Sequence, residues 1–151
     1  MKKYFITAFI ISLFTSEIYS QVEYSVITTV ESIVPNGLGR SRMISVTDER
    51  DYKDFTSQRS EDKDEDEKNK SDRGDIRVKD YEETKLLNFY NLGGIRFQNI
   101  AANDAVVTSK INSMAADGWE LAFVVSGVES DAGEKDGQGI FITRYIFKRN
   151  Q

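Results

Sequence analysis

Apolar and polar residues alternate over two runs near the start of the chain, and both runs predict strands. The first is "VEYSVITTVESIV" at residues 22–34, and the second is "RSRMISVT" at residues 40–47. Asn36-Gly37 lies between them and is a strong turn signal, so the two runs predict a β-hairpin. On the first run, the residues that share one face at a period of two are Tyr24, Val26, Thr28 and Val30.

A helical period appears later in the chain. Val107, Ile111, Met114 and Ala115 recur at the spacing of one helix face and predict a helix from about Asn103 to Asp117. Asn103 or Asn99 would cap its start, and Gly118 suits the position after its end.

Two further strands are predicted after this helix. The first is "WELAFVVSGV" at 119–128, and the second is "IFITRYIFKR" at 140–149, which is apolar on both faces. Such a strand is expected to be central and covered twice, by the helix, by residues 86–90 or by another subunit. The large residues expected on one face of the first strand are Trp119, Leu121, Phe123 and Val125.

The middle of the chain is different. Residues 49–80 are dominated by charges and predict a mobile insertion, disordered over 57–75 because so few apolar groups cannot offset the entropy of ordering. A solvated helix is the alternative for this segment. Residues 78–91 are compatible with a helix or a strand, and "IRFQNI" at 95–100 with a short strand or an extended lead-in.

Together these elements predict one α+β domain over residues 21–151. A small, mainly antiparallel sheet in the order β-β-α-β-β would pack on one main helix, with the charged insertion at 49–80.

The first twenty residues have the layout of a signal peptide. "MKK" is basic, residues 4–14 are apolar, and a polar segment leads to Ser20, where cleavage is expected. A first core strand or a membrane anchor is the alternative. The chain has no cysteine, which suits a bacterial periplasmic or secreted protein stabilised by packing alone. No membrane association is expected after cleavage.

Charge and composition restrict the function. The formal net charge is −5, and the loss of Lys2, Lys3 and Glu17 would make it −6 for residues 21–151, so nucleic-acid binding is not expected. With no histidine and no cysteine, no catalytic residue and no cofactor are predicted. Glu120 is the one carboxylate beside an ordered tryptophan, and we interpret it as an outward strand residue paired with a lysine or arginine; a hydrolase built on carboxylates such as Glu120 is the remote alternative.

No metal site is predicted either. Asp62, Asp64 and Asp66 follow the start of an EF-hand pattern, but Glu67 stands where glycine is needed and Arg73 where a bidentate glutamate is needed.

One candidate binding site is the stretch after the first strand. Gly37 and Gly39 would expose backbone N–H groups to an anion, and Arg40 and Arg42, on one face of a strand, would close over it. The same residues also fit a plain hairpin whose arginines pair with carboxylates such as Glu31.

The stretch "INSMAADGWELAFVVSGV" and the closing "FKR" resemble a family of small bacterial domains of unknown function. The family's helix ends in Ala-x-x-Gly-Trp-Glu-Leu, matched here from Ala115 to Leu121. Its last strand is matched at Phe147, Lys148 and Arg149, and its opening strand at 23–26. The resemblance implies a β-β-α-β-β fold and no catalytic residues.

The function expected from the sequence is therefore a non-catalytic interaction or self-assembling module. Its partner would be a second copy of the chain or an envelope protein. The alternative is a protein that binds a small anion or ligand through the Gly37–Arg42 loop.

Overall fold

The computed structural model describes residues 21–33, 40–61, 67–128 and 139–150. Its centre is a five-stranded sheet in the order β3-β2-β1-β7-β6, in which every neighbouring pair is antiparallel. The α+β prediction is confirmed. The strands are β1 (Val22–Ser32), β2 (Arg42–Val46), β3 (Tyr81–Lys85), β6 (Glu120–Val128) and β7 (Ile140–Asn150), and a small hairpin is formed by β4 (Tyr90–Asn91) and β5 (Gly94–Ile95).

The main helix is longer than predicted. A four-residue helix, α1 (Arg73–Ile76), precedes it, and the main helix α2 runs over Phe97–Ala116. The expected extended stretch at 95–100 is therefore wrong from Phe97 onwards, and neither Asn99 nor Asn103 is a cap, because both lie within the helix. Asp117 ends it, and Gly118 follows at a φ of 83°, a left-handed conformation that side chains disfavour.

The insertion joins two neighbouring strands. β2 ends at Val46 and β3 begins at Tyr81. The chain therefore leaves the sheet at the end of β2 and re-enters it as β3, which is hydrogen-bonded to β2. Its described part holds a 3-10 turn at Tyr52–Phe55, a bridge between Gln58 and Glu67, and α1. The structure also settles the open choice for residues 78–91, which supply a third strand before the helix.

The core lies between α2 and one face of the sheet, here called the inner face. Its most deeply buried side chain is Phe147 on β7, 1 % exposed. Met114 of α2 and Trp119 pack into the same cluster, whereas Ala115, expected on the buried stripe, is exposed. The core residues are Ile27, Met43, Leu86, Met114 and Phe147, with Val106, Val107, Ile111, Trp119 and Tyr145 packed around them.

A β-bulge in β6 changes which side chains face the core. Leu121 lies opposite Phe147 on the inner face, but the register shifts at Ala122, and Phe123 lies opposite Ile146 on the other face. The prediction that Leu121 and Phe123 share one face is therefore wrong. The extra residue in the bulge reverses the alternation for the rest of the strand.

Candidate functional site

The side of the sheet opposite α2, here called the outer face, is rich in exposed apolar side chains. The register places them together, because residues directly opposite each other on paired strands point to the same side. Their exposed fractions are 61 % for Tyr24, 42 % for Val26, 47 % for Val46, 48 % for Tyr81, 64 % for Phe123 and 58 % for Val125.

The main helix does not pack on this outer face, and Thr47, Asp48 and Glu49, which follow β2, line a groove at its edge. The helix and Leu86 pack on the inner face, so the prediction of two covers for β7 is met on one side only. Ile140, Ile142 and Ile146 are the outer residues of β7, and they are half-buried. An antiparallel sheet usually places polar residues on the side that faces water. A contiguous apolar patch there is typical of an interaction surface.

Ion pairs lie at two borders of the patch. Lys148 Nζ lies 3.5 Å from Glu120 Oε2, in agreement with the interpretation of Glu120 as an outward, paired strand residue. At the opposite side, Arg42 Nε lies 2.5 Å from Glu83 Oε1. Arg42 therefore pairs with Glu83 and not with Glu31, which accepts a hydrogen bond from Asn103.

A second feature is a cleft of about 820 Å³ at the end of β2 and β3. This volume lies within the range of small-ligand sites. Three cationic side chains, those of Arg40, Arg42 and Lys85, contribute to its wall. The remaining lining residues are Ser41, Leu86, Leu87, Asn88, Tyr90, Asn91 and Asn99.

The floor of this cleft is fixed by buried hydrogen bonds. Ser41 Oγ donates to Asn88 Oδ1 at 2.7 Å and accepts from the Ser32 N–H at 3.0 Å. Asn99 Nδ2 donates to the Asn88 carbonyl at 2.7 Å, which ties the loop after β3 to the helix. The cationic side chains are thus carried by a rigid support.

Asn103 holds the same loop from within the helix. Only 3 % of this residue is exposed. Its Oδ1 accepts from the Leu87 N–H at 2.7 Å, and its Nδ2 donates to the Leu87 carbonyl and to Glu31 Oε1, both at 2.8 Å. Sequence reasoning assigned Asn103 to a helix cap and missed this role, since its partner loop was not predicted.

The structure brings together two of the four predicted anion-binding residues. Arg40 and Arg42 both line the cleft, while Gly37 and Gly39 lie outside the described residues, as does the predicted turn. Lys85 and Asn88 were not predicted. Lys85 lies opposite Arg42 in the register of β2 and β3, a relation that the ambiguous sequence of 78–91 did not reveal.

Metal-binding arrangements are not seen in the described ranges. No group of three or more metal-ligating side chains occurs there, and Asp62, Asp64 and Asp66 fall outside those ranges.

Burial raises the pKa of the Tyr145 hydroxyl, which is hydrogen-bonded to Thr29, so the phenol stays neutral and packs as a core group. Within the same ranges, no helix has the length and hydropathy needed to cross a membrane.

Comparison with known proteins adds no relative. No family model, no curated protein and no solved structure matches this chain. The resemblance to the small bacterial domain family therefore stays an expectation carried by the motif at 115–121 and the closing "FKR".

Proposed function

We propose that this protein is a non-catalytic, self-associating module and that the outer face of its sheet binds the outer face of a second copy. The observation that carries the proposal is the exposure of Phe123, Val125 and Tyr24 on one continuous sheet surface. The hydrophobic effect favours the burial of such a surface against a partner of the same character.

The size of the outer face suits a second copy. Strands lie about 4.8 Å apart and rise about 3.3 Å per residue, so the five strands present a face of roughly 650 Å². Two copies packed face to face would then remove about 1,300 Å² from water, within the range of stable protein interfaces. An interface through the β6 edge alone would be roughly half as large as one through the outer face. This edge area is the length of β6 multiplied by a sheet thickness of about 10 Å.

The proposal includes a place of action. The leader-like pattern at residues 1–20 supports export, after which a module of this kind would act in the periplasm or outside the cell. An envelope protein with a matching apolar surface is the other partner class that the same face would accept.

Replacement of Phe123 by aspartate is expected to abolish self-association. The change places a charge in the apolar patch on the edge strand β6, where burial against a partner would leave it without water or a counter-ion. Sedimentation velocity over a wide concentration range measures the effect. The full-length gene product is used, and its mass is determined before the experiment. Phe97→Asp is the matched control, because Phe97 is 75 % exposed but lies on α2. An unchanged protein that stays monomeric at high concentration would remove the proposal.

A second candidate function is supported by the cleft. Arg40 and Lys85 make no ion pair with any described residue, and with Arg42 they gather three cationic groups around one concave surface. A small carboxylate or phosphate would meet charged donors there and neutral amide donors from Asn91 and Asn99.

A thermal-shift screen with phosphate, sulfate and sugar acids tests this second candidate. An anion present at about a hundred times its dissociation constant stabilises the folded state by about 2.7 kcal/mol. The shift should be lost in Arg40→Ala and Lys85→Ala and retained in Lys53→Ala, a lysine of the insertion. A shift that survives the two cleft substitutions would contradict anion binding at this position.

A further inference from the structure

The outer face is ordered into rows that run across the strands. One row contains Phe123, Ile146 and Val26, which lie opposite one another on β6, β7 and β1. Val46 and Tyr81, paired on β2 and β3, extend it just beyond the last β1–β2 pair, Ile27 with Ser45. We call it the apolar row. The neighbouring row, here called the charged row, consists of Val125, Arg144, Thr28, Ile44 and Glu83.

The charged row carries opposite charges on opposite sides of its centre. Thr28 is the middle residue, Arg144 lies one strand away on β7, and Glu83 lies two strands away on β3. Arg144 is exposed and makes no ion pair with any described residue. Glu83 is bound by Arg42 through Oε1, and a carboxylate has acceptor sites for a further cation.

From these rows we infer the geometry of the dimer, an inference that rests on the proposed self-association. The two copies are related by a two-fold axis that runs along β1, between the two outer faces. Each row then lies over the same row of the partner, with its β6 residue above the partner's β3 residue and its β7 residue above the partner's β2 residue. Phe123 then lies over the partner's Tyr81. Arg144 lies over the partner's Ile44 and extends one strand further to the partner's Glu83.

Three consequences of this axis fit the surface. The apolar row meets only apolar side chains, with Ile146 above the partner's Val46. Ile146 would enter a groove of about 440 Å³ whose lining includes the apolar Val26, Ile44 and Val46 and also the polar Thr47, Asp48 and Glu49. The interface also gains two symmetric Arg144–Glu83 pairs, one from each copy.

An alternative face-to-face two-fold arrangement is unfavourable. An axis through Thr28 that runs across the strands would place Arg144 over the partner's Arg144. It would also bring the apolar row over a row that contains Arg42 on β2 and Lys85 on β3. The other members of that row are Gly127, Ile142 and Val30. Like charges at a contact select strongly against that alternative.

A charge-exchange experiment tests this geometry. Arg144→Glu and Glu83→Arg are each expected to weaken the dimer about a hundredfold, because each creates two like-charge contacts across the interface. An equimolar mixture of the two variants should regain the dimer, since a heterodimer of the two restores an opposite-charge pair at both positions. Sedimentation velocity on the single variants and on the mixture gives the dissociation constants.

Two controls separate charge from folding. Arg77→Glu makes the same change of net charge as Arg144→Glu, but in the insertion, and should leave the dimer intact. The unfolding midpoint of each variant is expected to stay close to that of the unchanged protein, because Glu83 and Arg144 are both exposed. An unchanged midpoint shows that the sheet is formed.

The outcomes distinguish the geometry from the function. If Phe123→Asp dissociates the dimer while Glu83→Arg has no effect, or if the mixture of variants stays monomeric, the axis along β1 is wrong and self-association stands. If the unchanged protein is a monomer at every concentration, the proposed function and the geometry both fall. The geometry is supported only if the dimer is recovered in the equimolar mixture of the two variants.

Discussion

Phe147→Ala is expected to lower the free energy of unfolding by about 3–5 kcal/mol, the range measured for the loss of a large aromatic side chain from a packed core. Phe147 is 1 % exposed and lies on β7, between Leu121 of β6 and Ser25 of β1, where α2 covers the sheet. Neighbouring side chains on a paired sheet have little freedom to close the cavity. For a domain of this size, such a loss is a large part of the total stability.

Urea denaturation followed by tryptophan fluorescence measures this effect, since Trp119 packs against the same cluster. Phe97→Ala is the control, because Phe97 is 75 % exposed and its removal creates no cavity. A loss below about 1 kcal/mol for Phe147→Ala would show that the core is not closed around this ring.

Asn103→Ala is expected to cost about 2–4 kcal/mol, although it removes no apolar contact. The Asn103 amide satisfies both backbone groups of Leu87 and bonds Glu31. Its removal leaves buried donors and acceptors without partners, and each such group costs about 1–3 kcal/mol. Asn103→Asp is expected to be no better, because aspartate accepts from Leu87 but cannot donate to its carbonyl and adds a charge beside Glu31.

Hydrogen exchange at the Leu87 amide reports on this bond directly. The amide should be protected in the unchanged protein and exchange faster in both Asn103 variants, relative to strand amides of β1. Asn99→Ala is the comparison, since Asn99 makes one hydrogen bond, to the Asn88 carbonyl, and should cost about 1 kcal/mol. Equal losses for Asn99→Ala and Asn103→Ala would contradict the special role of Asn103.

The sequence predicts much of the sheet, for a physical reason. The run along β1 alternates Val22, Tyr24 and Val26 with polar residues, and β7 is rich in apolar residues on both faces, so both are clear as strands. Phe141, Tyr145 and Phe147 share one face of β7, and Ile140, Ile142 and Ile146 share the other, as the alternation predicts. The charged segment begins just after β2 ends at Val46, but its end is not marked by composition, because β3 itself reads YEETK.

The outer face could not be predicted, because one bulged residue decides it. Ala122 has no property that distinguishes it from a regular strand residue, yet the bulge moves Phe123 from the expected core face to the exposed one. Tyr24 and Val26 also look like core residues in the sequence. Only the side on which α2 packs shows that they are left exposed.

The early part of α2 and the cleft depend on long-range contacts. A period analysis begins the helix near Asn103 because residues 97–102 lack a clear apolar stripe. The loop over 86–88 holds this turn of the helix through Asn99 and Asn103, from outside the local sequence. Lys85 joins Arg42 only through strand pairing, which no local pattern encodes.

The pairing of β1 with β7 sets the order in which the molecule can be completed. β1 is the first strand of the sheet and β7 the last, yet they are hydrogen-bonded neighbours from Val22 opposite Asn150 to Ser32 opposite Ile140. A ribosome delivers β1 long before β7, so the middle strand keeps one open edge until β7 has been made. Contacts between such distant parts of a chain form slowly, so closure of the sheet around β1 is a late step of folding.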